Sequence, residues 1–349
     1  MADGEQTARE RVTVVTLARR AGVAASTVSR ALKGDTRISA ETRQRIEMLA
    51  MEAGYMPSAM ARTLSGGRSG LVGLVLGSND NPFYAELMHE AVSQVAERGL
   101  RLLLLHAGGG PIEDRTAEAL LHYQVDGCLI TSAELSSRAS EICADHKVPV
   151  IMVNRVPRLH SSAVACDNYG GGQVLAALLL KAGHRHFAVV RGNATTSTSV
   201  DRERGFADVV QQAGASVTLR VNGLSSYAGG YAAGLGFAAM SPAERPEAVF
   251  CVADIMAMGA IDALRSAGLR VPDDVSIVSF DGIEAGGWPP YALTTIKQPL
   301  AAMIGRGLDL LVARLDRGSV PDEVVSLRGD LVIRSSARLA PHRPKEIPA

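Results

Sequence analysis

Two groups of residues in this chain have the types and spacing to do chemistry. The first is Ser26, Thr27, Ser29 and Arg30, in the run Ala24–Leu32. Short hydroxyls reach phosphate oxygens and base edges, and an arginine can bond guanine O6 and N7 together, so this group suits a nucleic-acid surface. The second group follows short apolar runs. Asn79, Phe83 and Tyr84 come after 71–76, Asn154 and Arg155 after 148–153, Arg202 after the hydroxyl-rich 195–199, and Asp281 after 275–280 with Trp288 beyond. Rings cover the C–H faces of a polyhydroxylated ligand, while Arg, Asp and Asn take its hydroxyls or a carboxylate. Each residue also has a plainer reading. Asp281-Gly282 can be a simple turn, and Asp254, opening a helix, reads as an N-cap.

Other chemistry is missing. Gly108-Gly109-Gly110 has neither the spacing nor the lysine of a phosphate loop. No metal-ligand spacing, nucleophile elbow or H-E-x-x-H is present, so the sequence predicts neither an enzyme nor a cofactor. The cysteines Cys128, Cys143, Cys166 and Cys251 are scattered and read as free thiols of a reducing compartment.

The first group needs short helices to present it. Val14, Leu17, Ala18 and Ala21 form one apolar helical stripe, with Thr13 as N-cap and Gly22 as stop. Val28, Ala31 and Leu32 give a second helix its buried face. Ser39 caps a third that runs to about Ala53, where Gly54 ends it. Residues 11–68 hold ten Lys and Arg against four Asp and Glu, although the net charge of the chain is zero. A basic head on an acidic body fits a nucleic-acid reader. Past Pro57, Ser58 can cap a further helix of about two turns that Gly66-Gly67 stops. A helix that short is marginal alone. Met60 and Leu64, four apart on one face, argue that it meets a partner.

The second group needs strand ends. From Leu71, apolar strands at 71–76, 101–105, 127–131, 148–153, 186–190, 216–221, 248–252 and 275–280 alternate with helices, and a last strand lies around 331–334. This is α/β grammar: parallel sheets covered on both faces, in two similar lobes. Helices are expected around 84–98, 113–123, up to about 146, and at 170–182, 202–213, 227–239, 253–267 and 300–317. No apolar run approaches the roughly 20 residues of a membrane span. The polar N-terminus is no signal peptide. A cytoplasmic, nucleoid-associated protein is expected.

Several ordered motifs carry a resemblance. They are Val15-Thr16-Leu17-Ala18, Ala21-Gly22-Val23, Thr27-Val28-Ser29-Arg30, Gly54-Tyr55-Met56-Pro57, Ala61-Arg62-Thr63-Leu64, Asn81-Pro82-Phe83-Tyr84, Val271-Pro272-Asp273-Asp274-Val275, Phe280-Asp281 and Leu293-Thr294-Thr295-Ile296. In this order and spacing the chain resembles the lac-repressor (LacI/GalR) family of bacterial transcription regulators over almost its whole length. The resemblance implies a three-helix helix-turn-helix head plus hinge helix, joined to a two-lobed, periplasmic-binding-protein-like body with doubly wound parallel sheets. The implied division is a leader at 1–11, a DNA-binding domain at 12–57, hinge helix and linker at 58–68, an effector domain at 69–340 and a tail at 341–349. Within the effector domain the N-lobe takes about 69–168 and 299–328, and the C-lobe about 169–298 and 329–340.

The resemblance also implies roles. Ala25, Ser26 and Arg30 fall at base-reading positions. Thr13, Thr27, Ser29 and Arg62 join the DNA-binding set, and Leu64, aided by Met60, would wedge into the minor groove. Arg202 and Asp281 match the effector-binding Arg and Asp, and Phe83, Tyr84 and Asn154 match further pocket positions. The implied partners are a pseudo-palindromic double-stranded operator, a second copy of the chain, and a small effector: a sugar, sugar acid or related polyol. No membrane partner is implied. Ser225 stands where purine-binding members carry an aromatic ring, which counts against a nucleobase. Pro341, Pro344 and Pro348, without heptads, count against a tetramerising coiled coil.

Overall fold

The structure, a computed structural model, describes residues 12–55, 68–77, 81–108, 114–131, 137–156, 162–194, 196–318 and 320–339. Its contacts divide the chain into two units, Met1–Ser69 and Gly70–Ala349.

The first unit contains α1 (Val14–Ala21), α2 (Ala25–Ala31) and α3 (Ala40–Glu52). Thr13 begins α1 with a reciprocal cap: its hydroxyl accepts the Thr16 amide, and Thr16 Oγ1 accepts the Thr13 amide. Gly22 ends α1 at φ 65°, the left-handed conformation that costs glycine least. Ser39 caps α3 through the Thr42 amide. Leu17, Val28 and Ile46, one from each helix, are fully buried together, and each burial contributes about 2 kcal/mol.

The second unit holds two six-stranded sheets. The first-lobe elements are β1 (Leu71–Leu76), α4 (Pro82–Glu97), β2 (Arg101–His106), α5 (Asp114–His122), β3 (Gly127–Ile130), α6 (Ser137–Asp145), β4 (Val150–Val153) and β5 (Ser162–Cys166). Next come α7 (Asn168–Lys181), β6 (His186–Arg191), α8 (Ser197–Gln212), β7 (Ser216–Asn222), α9 (Tyr227–Ala238), β8 (Ala248–Cys251), α10 (Asp254–Ser266) and β9 (Ser276–Asp281). A 3₁₀ turn (Glu284–Gly287), β10 (Thr294–Lys297), α11 (Leu300–Arg317), β11 (Val324–Leu327) and β12 (Asp330–Val332) complete the chain.

The sheet orders are β11-β5-β4-β3-β1-β2 and β12-β10-β9-β8-β6-β7. Leaving out β11 and β12, the two orders are the same doubly wound pattern used twice. Every pairing is parallel except β10 with β12. The chain passes between sheets after β5, after β10 and after β11, the multiple crossing expected of two lobes. In such sheets the carboxyl ends of the strands beside the order reversal form the ligand edge.

Strands β5, β10 and β11 are not among those expected from the sequence. Ser162-Ala163-Val164-Ala165-Cys166 is made of small residues with weak strand preference, yet it is buried throughout between two neighbours. Helix α8 begins at Ser197, a turn before the expected 202, and takes Thr198 and Ser199 out of the expected loop into buried positions.

Candidate functional site

In the head, Ser26 and Arg30 are exposed on α2 while Ala25, Thr27 and Ser29 are half-buried. Val28 and Ala31 anchor the opposite face. Thr13 is exposed but committed to its cap. Part of the basic surplus is structural. The Arg37 guanidinium holds the Asp35 carboxylate in the turn before α3, lowering its pKa to about 2. Arg43 donates to the Asp35 and Ile38 carbonyls, and Arg45 to the Ala21 carbonyl at the end of α1. Arg19, Arg20 and Arg30 are left exposed in and beside the helix pair. Met60, Arg62, Leu64 and Asn79 lie outside the described residues.

In the body, Arg202 and Asp281 come together although 79 residues apart. Arg202 points from α8 with its Nη1 2.9 Å from Asp281 Oδ1, at the end of β9. The same Nη1 donates to the Val252 carbonyl at 2.7 Å, and Nε donates to Asn168 Oδ1 at 2.7 Å. The guanidinium carbon sits 3.9 Å from the Phe280 ring centroid, a cation–π contact on top of the ion pair. Asp281 also accepts from Gln298 Nε2 at 2.9 Å and, on its other oxygen, from Asn81 Nδ2 at 3.1 Å. Asn81 caps α4, so this last bond joins the two lobes. A second bond does the same: Glu86 Oε1 on α4 accepts the Glu284 amide at 2.8 Å. Burial first, then the Glu284 and Asp281 charges, raise the Glu86 pKa, against the pull of that amide.

The corner that carries Asp281 is tight. Asp281 has φ 128° and Gly282 φ 72°, both in the region side chains disfavour. A Cβ on Gly282 would lie 2.4 Å from Lys297 Cα, so only glycine fits there.

Asp254 is no N-cap. It is the first residue of α10, fully buried, and its side chain turns to other elements. Oδ1 accepts the Ser279 and Thr295 hydroxyls at 2.5 and 2.7 Å, and Oδ2 accepts the Ile283 amide at 2.9 Å. Burial and the nearby Asp281 charge push its pKa up to about 7, against the three donors.

Asn154 directly follows β4 at φ 66°, 4% exposed. Its Oδ1 is buried without a partner among the described residues, as is Gln298 Oε1. Phe83 packs into the core with its ring 5.3 Å from that of Tyr84, which stays half-buried beside it. Arg155 is half-buried. Trp288, expected in the site, is 54% exposed beyond the 3₁₀ turn and takes no part in the Arg202–Asp281 network. Glu86, Asn168 and Gln298 were not singled out from sequence, and Asn81 only as part of the Asn81-Pro82-Phe83-Tyr84 motif. For the three amides the available signal was a place at a strand or helix end, while Glu86 lies within α4 and has no such signal.

The described residues hold no His/Cys/Asp/Glu group able to bind a metal and no helix long and apolar enough to cross a membrane.

Comparisons with known proteins agree with this layout. Residues 13–58 match the model described as "Bacterial regulatory proteins, lacI family", and 176–337 match "Periplasmic binding protein-like domain". The ribose operon repressor of Escherichia coli (strain K12) is 31% identical over 330 residues, 93% of this chain and 99% of that protein. The HTH-type transcriptional repressor PurR of Pasteurella multocida (strain Pm70) is 29% identical over 333 residues, 93% and 98% of the two chains. The lac repressor dimer bound to operator and the anti-inducer ONPF shares the fold, with TM-score 0.83 and 24% identity over 94% of this chain and 99% of that one. A basic helix-turn-helix head, a twice-repeated doubly wound body and relatives matched end to end lead to one conclusion: this chain belongs to the lacI family of bacterial regulatory proteins and is a DNA-binding transcriptional regulator.

Proposed function

We propose that the chain is a homodimeric repressor whose operator affinity is set by a sugar-like effector bound between the lobes. The carrying observation is the Arg202–Asp281 pair tied to Asn81 in the other lobe, because a ligand that engages it acts on both lobes at once. The division at 12–57, 58–68 and 69–340 follows, with the lobes split as the two sheets suggest. Arg30 and Ser26 read bases, and Leu64 with Met60 wedges the minor groove as two hinge segments pair. The protein acts in the cytoplasm.

The chemistry favours a polyol over an anion. Asp281 already neutralises Arg202 at 2.9 Å. The orphan oxygens of Asn154 and Gln298 ask for donors, which hydroxyls supply and a carboxylate does not. The repressors that resemble this chain include both ribose-operon and PurR proteins. A thermal-shift screen of sugars, sugar acids and nucleobases tests the reading, since a ligand of the native state raises its melting temperature. A neutral sugar is expected to score. A nucleobase scoring alone would overturn the sugar assignment.

A further inference from the structure

Asp254 is a fully buried acid with no cation bonded to it among the described residues, and the DNA and effector readings leave it without a role. Its three donors are not a random set. Ser279 and Thr295 face each other in the β9–β10 register, each two residues short of its strand's end. The third donor, the Ile283 amide, lies two residues past Asp281. One acid side chain therefore grips the strand that leads into the strained corner, the strand paired beside it and the first amide that leaves the corner. Such a corner persists only where its surroundings over-determine it. On its other side the corner is held by the Gln298 amide, which donates to the Asp281 carbonyl at 3.0 Å.

We propose that Asp254 is the positioning residue of the interlobe site: by clamping Ser279, Thr295 and Ile283 it aims Asp281 at Arg202, Gln298 and Asn81. The proposal rests on the reading of that site as the effector site. Asp254 itself touches no ligand. Asp rather than Asn is required because Oδ2 must accept the Ile283 N–H while Oδ1 meets two hydroxyls, which can donate to it or accept from a proton on it. In Asp254→Asn, one oxygen still takes the two hydroxyls, but the amide NH₂ opposes the Ile283 N–H, leaving donor against donor.

The test compares wild type, Asp254→Asn and a control, Ser336→Ala, in the full-length chain. Ser336 is equally buried and bonds the Thr294 amide and the Ile277 carbonyl, away from the corner. Hydrogen exchange is read on the peptide spanning 281–288. Binding of D-ribose, D-galactose and D-gluconate is read by thermal shift. Asp254→Asn is expected to speed exchange at Ile283 by about tenfold or more, as loss of one protecting bond allows. Any sugar that binds wild type should bind it about tenfold more weakly, while Ser336→Ala leaves that affinity unchanged. If Asp254→Asn does not fold, Thr295→Val removes one hydroxyl with little change of shape and should give a smaller rise confined to the same peptide. Unchanged exchange in the folded variant overturns the proposal, as does equal loss of affinity in Ser336→Ala. If no sugar binds wild type, the effector reading fails, and the exchange result alone still decides whether Asp254 holds the corner.

Discussion

Arg202 and Asp281 meet at 2.9 Å with only 6% and 3% of their side chains exposed. A buried pair of this kind costs desolvation and is weak evidence of stability, but breaking it strands a charge. Arg202→Ala leaves the Asp281 carboxylate buried without its cation and should cost about 3–5 kcal/mol in urea unfolding. Asp281→Asn keeps an oxygen for Arg202 and should cost less. Both should abolish the response to effector. A loss under about 1 kcal/mol in Arg202→Ala would mean that the pair is solvated in solution.

The corner gives a backbone prediction. Gly282→Ala introduces a Cβ at φ 72° and 2.4 Å from Lys297 Cα. It should destabilise by about 1–3 kcal/mol, with a matching fall in the denaturation midpoint. No loss would mean that the corner relaxes freely and is not held by its surroundings.

The head separates reading from folding. Arg30→Ala removes an exposed side chain and should leave the melting temperature unchanged. Its operator binding should weaken by about 1–3 kcal/mol, with relaxed specificity at one base position. Arg45→Ala removes the donor to the Ala21 carbonyl and should lower the stability of the head. Equal effects of the two variants on folding would contradict the division.

The pH dependence has a defined sign. Asp254 holds its proton up to about 7 when folded, whereas an unfolded Asp titrates near about 4. The stability this supplies is full below about 4 and is lost as pH rises through about 7. The ionisable groups beside it are Asp281 and Cys251, with Arg202 beyond. His184 opposes the trend: burial lowers its pKa, so its contribution is lost as pH falls below the usual histidine value. The clean readout is the difference between wild type and Asp254→Asn in urea midpoint at pH 6 and pH 8. Wild type should lose more on the alkaline step, and parallel behaviour would rule out an Asp254 titration there.

Much of this molecule is legible locally. Thr13, Gly22, Ser39 and Gly54 are read from sequence because caps and stops act within one turn. The strands of the two doubly wound runs show as apolar blocks between helices. What escapes is set at long range. Ser162–Cys166 is a strand because its neighbours bury it, not because of its residue types. Asp254 opens a helix, yet its partners are 25, 29 and 41 residues away, and no local rule sees them. Trp288 has the ring a sugar site wants, but the 3₁₀ turn leaves it outside the network. Arg202 and Asp281 can be singled out by type; their mutual contact appears only when the start of α8 and the end of β9 come together.

The central claim, that a ligand between the lobes governs DNA binding by the head, is met most directly by an anisotropy titration. The full-length chain is titrated onto a duplex selected from a randomised pool, with and without a ligand from the thermal-shift screen. The account predicts tight, sequence-specific binding that weakens steeply with salt, and a ligand-induced change of about tenfold in affinity that Arg202→Ala abolishes. Binding that is equal on a scrambled duplex, or an affinity that a bound ligand leaves unmoved, would contradict it.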